Sequence, residues 1–412
     1  MTQAAAPSRP PMLTMAQALD ALLAAARPLA QAEPIDTLAA NGRVLAAPVT
    51  STLRVPPADN TSMDGYAVRA ADVPAAGTRL RVSQRIPAGH VGTALEPGTA
   101  ARIFTGGLIP PGADAVVMQE QCTADGDDVI VNHVPQSGEW VRRAGEDIEA
   151  GSVILPAGTR LTPQALGLAA SVGQAQLEVV RRVRVAVFFT GDELAMPGEP
   201  LKPGAIYNSN RFTLRGLLEN LGCEVSDFGI VPDTLAATRE TLRRAAQGHD
   251  LIITSGGVSV GEEDHIKPAV EAEGRLDMWQ IAIKPGKPLA FGQVDSGSAP
   301  AFFVGLPGNP VSSFVTFLLF VRPFILRLQG VAEVTPRRLP LRADFELNKG
   351  DRRNEFLRAR INPEGGLDLF PNQSSGVLTS TVWGDGLIDN PPNQAIARGD
   401  TVQFIPFDGL LA

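Results

Sequence analysis

Between residues 183 and 328 the chain alternates strand-like and helix-like runs so regularly that few folds are open to it. The apolar run at residues 183–189 reads as a buried strand, and 211–221 as a helix. Residues 223–231, 236–247 and 251–254 then give strand, helix and strand. A helix follows over residues 264–273, strands at 278–283, 289–294 and 302–305, and a further helix from Val311. Alternation at this spacing means βαβ units around a largely parallel sheet. Ligands of such sheets bind beyond the carboxyl ends of the strands, so the loops there are where chemistry is expected.

The flanks read differently. Residues 14–29 have helical periodicity, with Thr14 and Gln17 spaced as a capping box. From residue 54 to 147, glycine and proline punctuate short β-type runs at 80–82, 101–104, 115–118 and 128–131. A helix at 163–172 can pack back on the first. Beyond residue 335 alternating strands return, at 339–345 and 355–361. The expected fold is multidomain α/β plus β: a central three-layer α/β/α domain with a mostly parallel sheet, an inserted β-rich domain and a C-terminal β-barrel. The expected bounds are 14–53 with 148–182 for a base domain, 54–147 for the insert, 183–330 for the α/β domain and 331–412 for the barrel.

A net charge of −8 argues against a nucleic-acid partner, which usually meets a basic face, and 5% aromatics leave few stacking platforms. Cys122 and Cys223 lack metal-type spacing and suit a reducing, cytoplasmic setting. Residues 1–11 lack the apolar core of a signal peptide. The apolar stretch 311–328 is interrupted by Arg322, Pro323 and Arg327, so it is expected to be a buried helix, with no membrane partner. Of the 36 basic residues only five are lysine, and two of these, Lys284 and Lys287, sit three apart in a KPGK turn. Where arginine is the default cation, a lysine pair suggests a need for compact, movable charge.

The loops at the strand ends carry the chemistry. Ser255, Gly256, Gly257 and Ser259 form a glycine-serine turn between a strand and a helix, which is an anion cradle. Glu262, Glu263 and Asp264 at its edge would repel a naked phosphate, which implies a bridging cation or a different substrate group. Loops at 190–193, 231–233, 284–288 and 305–310 add the carboxylates of Glu193 and Asp233, the ammonium groups of Lys284 and Lys287, and further glycines. Carboxylates beside phosphate-binding amides are what a magnesium ion bridging to phosphate oxygens needs. Gly257 to Gly261 also matches the G-x-S-x-G nucleophile elbow. The only histidine after Ser259 is His265, six residues on, which leaves that reading weak.

Taken in order, SMDGYA at 62–67, RIFTGG at 102–107, RRAGEDI at 142–148, TGDEL at 190–194, SGGVSVGEED at 255–264, IKPGKPLAFG at 283–292 and GLPGNPVS at 305–312 resemble one family. The chain is similar to the molybdopterin molybdenumtransferases of the MoeA type and to the C-terminal part of gephyrin, from about residue 14 to its end. The resemblance implies hydrolysis of adenylylated molybdopterin, release of AMP and insertion of molybdate at the dithiolene, assisted by Mg2+. It places Glu193, Asp233 and Asp264 on the metal and nucleotide side, and Lys284, Lys287, Ser312, Arg353 and Ser375 around molybdate. Pro307 and Pro310 would shape the wall. It also promotes Asp64, Thr105 and Asp147 from surface turns to site residues acting across a homodimer interface. Handover with the molybdopterin-adenylylating protein and with molybdoenzyme chaperones is implied as well. Either Asp64 or Asp264 would take the proton from the hydrolytic water. A tungstate-inserting sibling and a non-catalytic scaffold are the alternatives.

Overall fold

The structure is a computed structural model that describes residues 12–257, 265–286, 288–297 and 299–411. The chain divides into two compact units, Met1–Glu33, Gly42–Ala46 and Glu178–Ala412 in the first, and Pro34–Asn41 and Ala47–Leu177 in the second.

The first unit is built on β1 (Arg184–Thr190), α1 (Ser209–Asn220), β2 (Glu224–Val231), α2 (Leu235–Ala246), β3 (Leu251–Ser255), α3 (Ile266–Glu273), β4 (Gly274–Gln280), β5 (Pro288–Val294) and β6 (Ala301–Leu306). These strands form one six-stranded sheet in the order β2-β1-β3-β6-β5-β4. The four strands β2, β1, β3 and β6 are parallel. The edge pair β5 and β4 completes the sheet through antiparallel ladders, β5 on β6 and β4 on β5. Side chains alternate across a strand, and here each face feeds its own core. Val185, Val187 and Phe189 join one cluster with Leu214 and Leu218 of α1; Ala186 and Phe188 join the other with Leu242 of α2 and Ile266 of α3. The region expected as one strand at 278–283 is in fact β4 and a separate two-residue strand, Ile283–Lys284, which leaves this sheet for another.

The stretch after β6 is one helical run: α4 (Pro310–Thr316), a π turn over Phe317–Val321, and α5 (Arg322–Leu328). Pro323 has no amide to donate and its ring crowds the preceding turn. A π turn just before it absorbs that mismatch without breaking the run. By length and composition this helix could cross a membrane, yet 94% of its apolar window is buried inside the protein. It is a core helix, packed with the first helix Met15–Ala25, whose Thr14–Gln17 capping box is formed.

The C-terminal strands β7 (Leu339–Arg342), β8 (Asn354–Ile361), β9 (Leu367–Leu369), β10 (Gly386–Asn390) and β11 (Thr401–Pro406) make a second sheet. Its order is Ile283–Lys284, β8, β10, β11, β7, with β9 also on β8 and a single bridge from Ala343 to Leu367.

The second unit holds a six-stranded sheet in the order Ala115–Met118, Gly65–Val68, Thr99–Ile103, Thr78–Ile86, Asp128–Val131, Cys122–Asp125. Tyr66 and Val68 pack into one core and Ala67 into another, so the strand after Asp64 is buried on both faces.

Candidate functional site

A cleft of about 740 Å³ lies at the carboxyl ends of the parallel strands. The chain runs from β1 outward to β2 and then back past β1 to β3, so the strand order reverses between β1 and β3, where a crevice is expected. Thr190, Gly191 and Glu193 after β1, Asp233 after β2, Ser255, Gly256 and Gly257 after β3, and Pro307 and Pro310 after β6 all line it. Lys284, Ser312, Arg353 and Ser375 line it as well. The loop at 284–288 does not arrive as expected. It precedes β5, which runs antiparallel to β6, and so reaches the same rim from a strand's amino end. Asp264, Ser259 and Lys287 lie outside the described residues.

Gly256 has φ +99°, and a Cβ there would stand 2.9 Å from the Thr190 carbonyl oxygen, so only glycine lets the β1 and β3 ends approach this closely. Ser255 is buried. Its hydroxyl donates to the Pro307 carbonyl at 3.0 Å and accepts from Asn210 Nδ2 at 2.8 Å. Asn210 Nδ2 also donates to the Gly308 carbonyl at 2.8 Å. Ser255 and Asn210 therefore tie the loops of the cleft floor together. Asn208, just before, caps α1 by accepting from the Arg211 amide.

The cations are held by register. Lys284 stands opposite Glu355 in the parallel pairing of Ile283–Lys284 with β8. Lys284 Nζ donates to Glu355 Oε1 at 3.0 Å and lies 3.5 Å from Asp351 Oδ2. Arg353 makes a two-point fork on Asp351, Nε to Oδ1 and Nη2 to Oδ2, both at 3.0 Å. That fork, chiefly, holds the Asp351 carboxyl far below the usual carboxylate range. Gly286 turns this loop with φ +103°, and a Cβ there would come within 2.4 Å of Thr316 Oγ1 on α4. Gly286→Ala is expected to cost about 1–3 kcal/mol of stability, which thermal unfolding checks.

Glu193, which is exposed, and Asp233 line the same cleft. Among the described residues no group of three or more His, Cys, Asp or Glu side chains could hold a metal by itself. Magnesium commonly takes one or two carboxylates plus substrate phosphates, so this donor set fits an ion shared with a phosphorylated ligand.

Asp64, Thr105 and Asp147 belong to the second unit. There, Asp64 Oδ1 accepts from both the amide (2.7 Å) and the hydroxyl (2.8 Å) of Thr105. These two bonds hold the Asp64 carboxyl below its usual range. Asp147 is exposed, with its amide donating to the Val55 carbonyl. The turn carrying it is tied to the 57–67 segment by Asp59, which accepts from the Ala144 amide at 2.8 Å and Arg143 Nη1 at 2.7 Å. Thr61 bonds Gly107 and Gly106 through its backbone. Three sequence motifs thus meet in one neighbourhood of this unit.

Sequence reasoning missed Asn208, Asn210, Asp351, Glu355 and Asp59. Asn208 and Asn210 were legible as a polar helix start at a strand-end rim. Glu355 was marked only by being an acid inside an apolar strand pattern.

An α/β sheet whose switch-point cleft is lined by carboxylates, cations and glycine loops belongs to the class of open α/β folds that take small ligands at the strand ends. Comparison with known proteins narrows this class. A family model for the MoeA N-terminal region (domain I and II) matches residues 13–173, one for a probable molybdopterin binding domain matches 186–327, and one for the MoeA C-terminal region (domain IV) matches 339–407. The molybdopterin molybdenumtransferase of Haemophilus influenzae is 41% identical, over 97% of this chain and 100% of that protein. That of a Nostoc species is 40% identical, over 86% of this chain and 84% of its own. A crystal structure of a molybdopterin biosynthesis MoeA protein from Pyrococcus horikoshii OT3 superposes with a TM-score of 0.84 at 28% identity, covering 96% of this chain and 100% of that one. The chain belongs to the molybdopterin molybdenumtransferase (MoeA) family, whose members are transferases.

Proposed function

We propose that this protein inserts molybdate into adenylylated molybdopterin, with hydrolysis of the phosphoanhydride and release of AMP. One observation carries the reading: a single cleft of the first unit presents carboxylates, glycine-loop amides and a pair of cations together. A phosphoanhydride substrate and a tetrahedral oxyanion co-substrate need these groups within reach of one another.

Glu193, Asp233 and Asp264 would hold Mg2+, which when bound supplies positive charge at the phosphate oxygens. The backbone of Gly256 and Gly257 lets the phosphates approach, while Pro307 and Pro310 shape the wall. Lys284 and Arg353, with Lys287, attract molybdate, and Ser312 and Ser375 offer hydroxyl donors to it. Asp264 or Asp64 takes the hydrolytic proton; the two Thr105 bonds stabilise ionised Asp64 and so lower its proton affinity, and a metal held by Asp264 would do the same there. Asp64, Thr105 and Asp147 keep a place in this proposal through the homodimer that the family resemblance implies. Asp264→Asn should abolish AMP release from adenylylated molybdopterin while leaving circular dichroism unchanged; wild-type turnover in that variant would contradict the assignment. The reverse preference, tungstate over molybdate, has no observation in its favour.

A further inference from the structure

Among the described residues, the two cations that line the cleft are not open. Arg353 turns its fork onto Asp351, and Lys284 lies 3.5 Å from the same carboxylate. A carboxylate offers a guanidinium the same two-oxygen face that a tetrahedral oxyanion offers. We propose that Asp351 is an internal competitor: its carboxylate takes the place beside Lys284 and Arg353 that an oxyanion would take, and is displaced when the oxyanion binds. This rests on the placement of molybdate at Lys284 and Arg353 under the proposed function.

Two carboxylates touch Lys284, and their surroundings separate their roles. Glu355 is 3% exposed, and its second oxygen accepts from the Asp351 amide at 2.9 Å and from Asn390 Nδ2 at 3.4 Å. It is locked on both oxygens and serves to fix Lys284. Asp351 is less buried, and its carboxylate is held by the two cleft cations and by the Arg353 amide of its own loop. It also has somewhere to go. A second cavity of about 760 Å³ is lined by Asp351 itself together with Lys284, Lys349, Arg352, Arg353 and Asn393. A rotated Asp351 side chain would meet the charges of Lys349 and Arg352 there. Competition of this kind keeps both cations oriented without a ligand and sets the affinity low enough for the oxyanion to be passed on.

The test is direct titration of the full chain with sodium molybdate alone, followed by calorimetry, so that no pterin chemistry enters the readout. Asp351→Asn keeps the shape and the acceptor for the Arg353 amide while removing the charge. It should bind molybdate about tenfold more tightly than the natural chain. Asp351→Ala, with its fold checked by circular dichroism, should shift affinity the same way. If both variants bind molybdate as the natural chain does, or more weakly, while Lys284→Ala loses binding, the competitor role is wrong and the oxyanion placement stands. If Lys284→Ala binds as the natural chain does, the placement itself fails and the competitor role falls with it.

Discussion

Lys284→Ala is expected to lower molybdate affinity by about 10- to 100-fold, the usual cost of losing a charged hydrogen bond. The same variant is expected to lose stability, for a separate reason. Glu355 is 3% exposed, and Lys284 Nζ, at 3.0 Å, is its cationic partner. Removing one member of a buried pair leaves the other charged and desolvated, at about 3–5 kcal/mol where burial is complete. The Lys284 side chain is 40% exposed, so solvent already screens the pair, and about 1–2 kcal/mol is the expected loss. A second substitution separates the two effects. Lys284→Ala with Glu355→Gln should recover most of the stability in urea unfolding and none of the molybdate affinity. Recovery of both would mean that Lys284 acts only as a structural counter-charge.

The second large effect concerns Arg358. It is fully buried, with Nε donating to Ser380 Oγ at 3.0 Å, Nη1 to the Phe356 carbonyl at 3.3 Å and Nη2 to the Ser374 carbonyl at 3.3 Å. Among the described residues no carboxylate pairs with it, and burial pushes its guanidinium down to about 10. Shape and charge therefore pull in opposite directions. Arg358→Ala removes a large interior side chain and strands three acceptors, at an expected cost of about 3–5 kcal/mol. Arg358→Met fills most of the space and removes an uncompensated buried charge, so its cost should be within about 1–2 kcal/mol. Urea unfolding of the two variants checks this; equal losses would show that the guanidinium hydrogen bonds, not packing, dominate. Ser374 lines the cleft, so the Met variant should also loosen molybdate binding there.

Much of the α/β sheet was legible because its code is local. Runs such as residues 251–253 and Ala301–Leu306 are apolar, as strands buried on both faces tend to be, and the helices between them repeat at helical spacing. The antiparallel direction of β5 was not legible, because a strand's apolar pattern reads the same in either direction. That is why the 284–288 loop reached the rim from an unexpected end. The helix after Asn309 was legible as a buried one despite Arg322, Pro323 and Arg327, but its π turn at Phe317–Val321 was not, because a π turn has no sequence period of its own. At the site, residue types at loop ends pointed to Glu193, Asp233 and Lys284, and the family resemblance alone pointed to Arg353; all four line the cleft. The carboxylates that restrain the cations, Asp351 and Glu355, depend on pairing between segments about seventy residues apart, which no local pattern encodes.

The proposed reaction couples cleavage of the adenylylated substrate to oxyanion insertion in one protein. Incubating the purified chain with adenylylated molybdopterin, Mg2+ and either molybdate or tungstate, and following AMP together with the metal content of the pterin, tests it most directly. AMP release matched by molybdenum insertion is expected, with both suppressed in Lys284→Ala. AMP release with no inserted metal, or neither product from the natural chain, would contradict it.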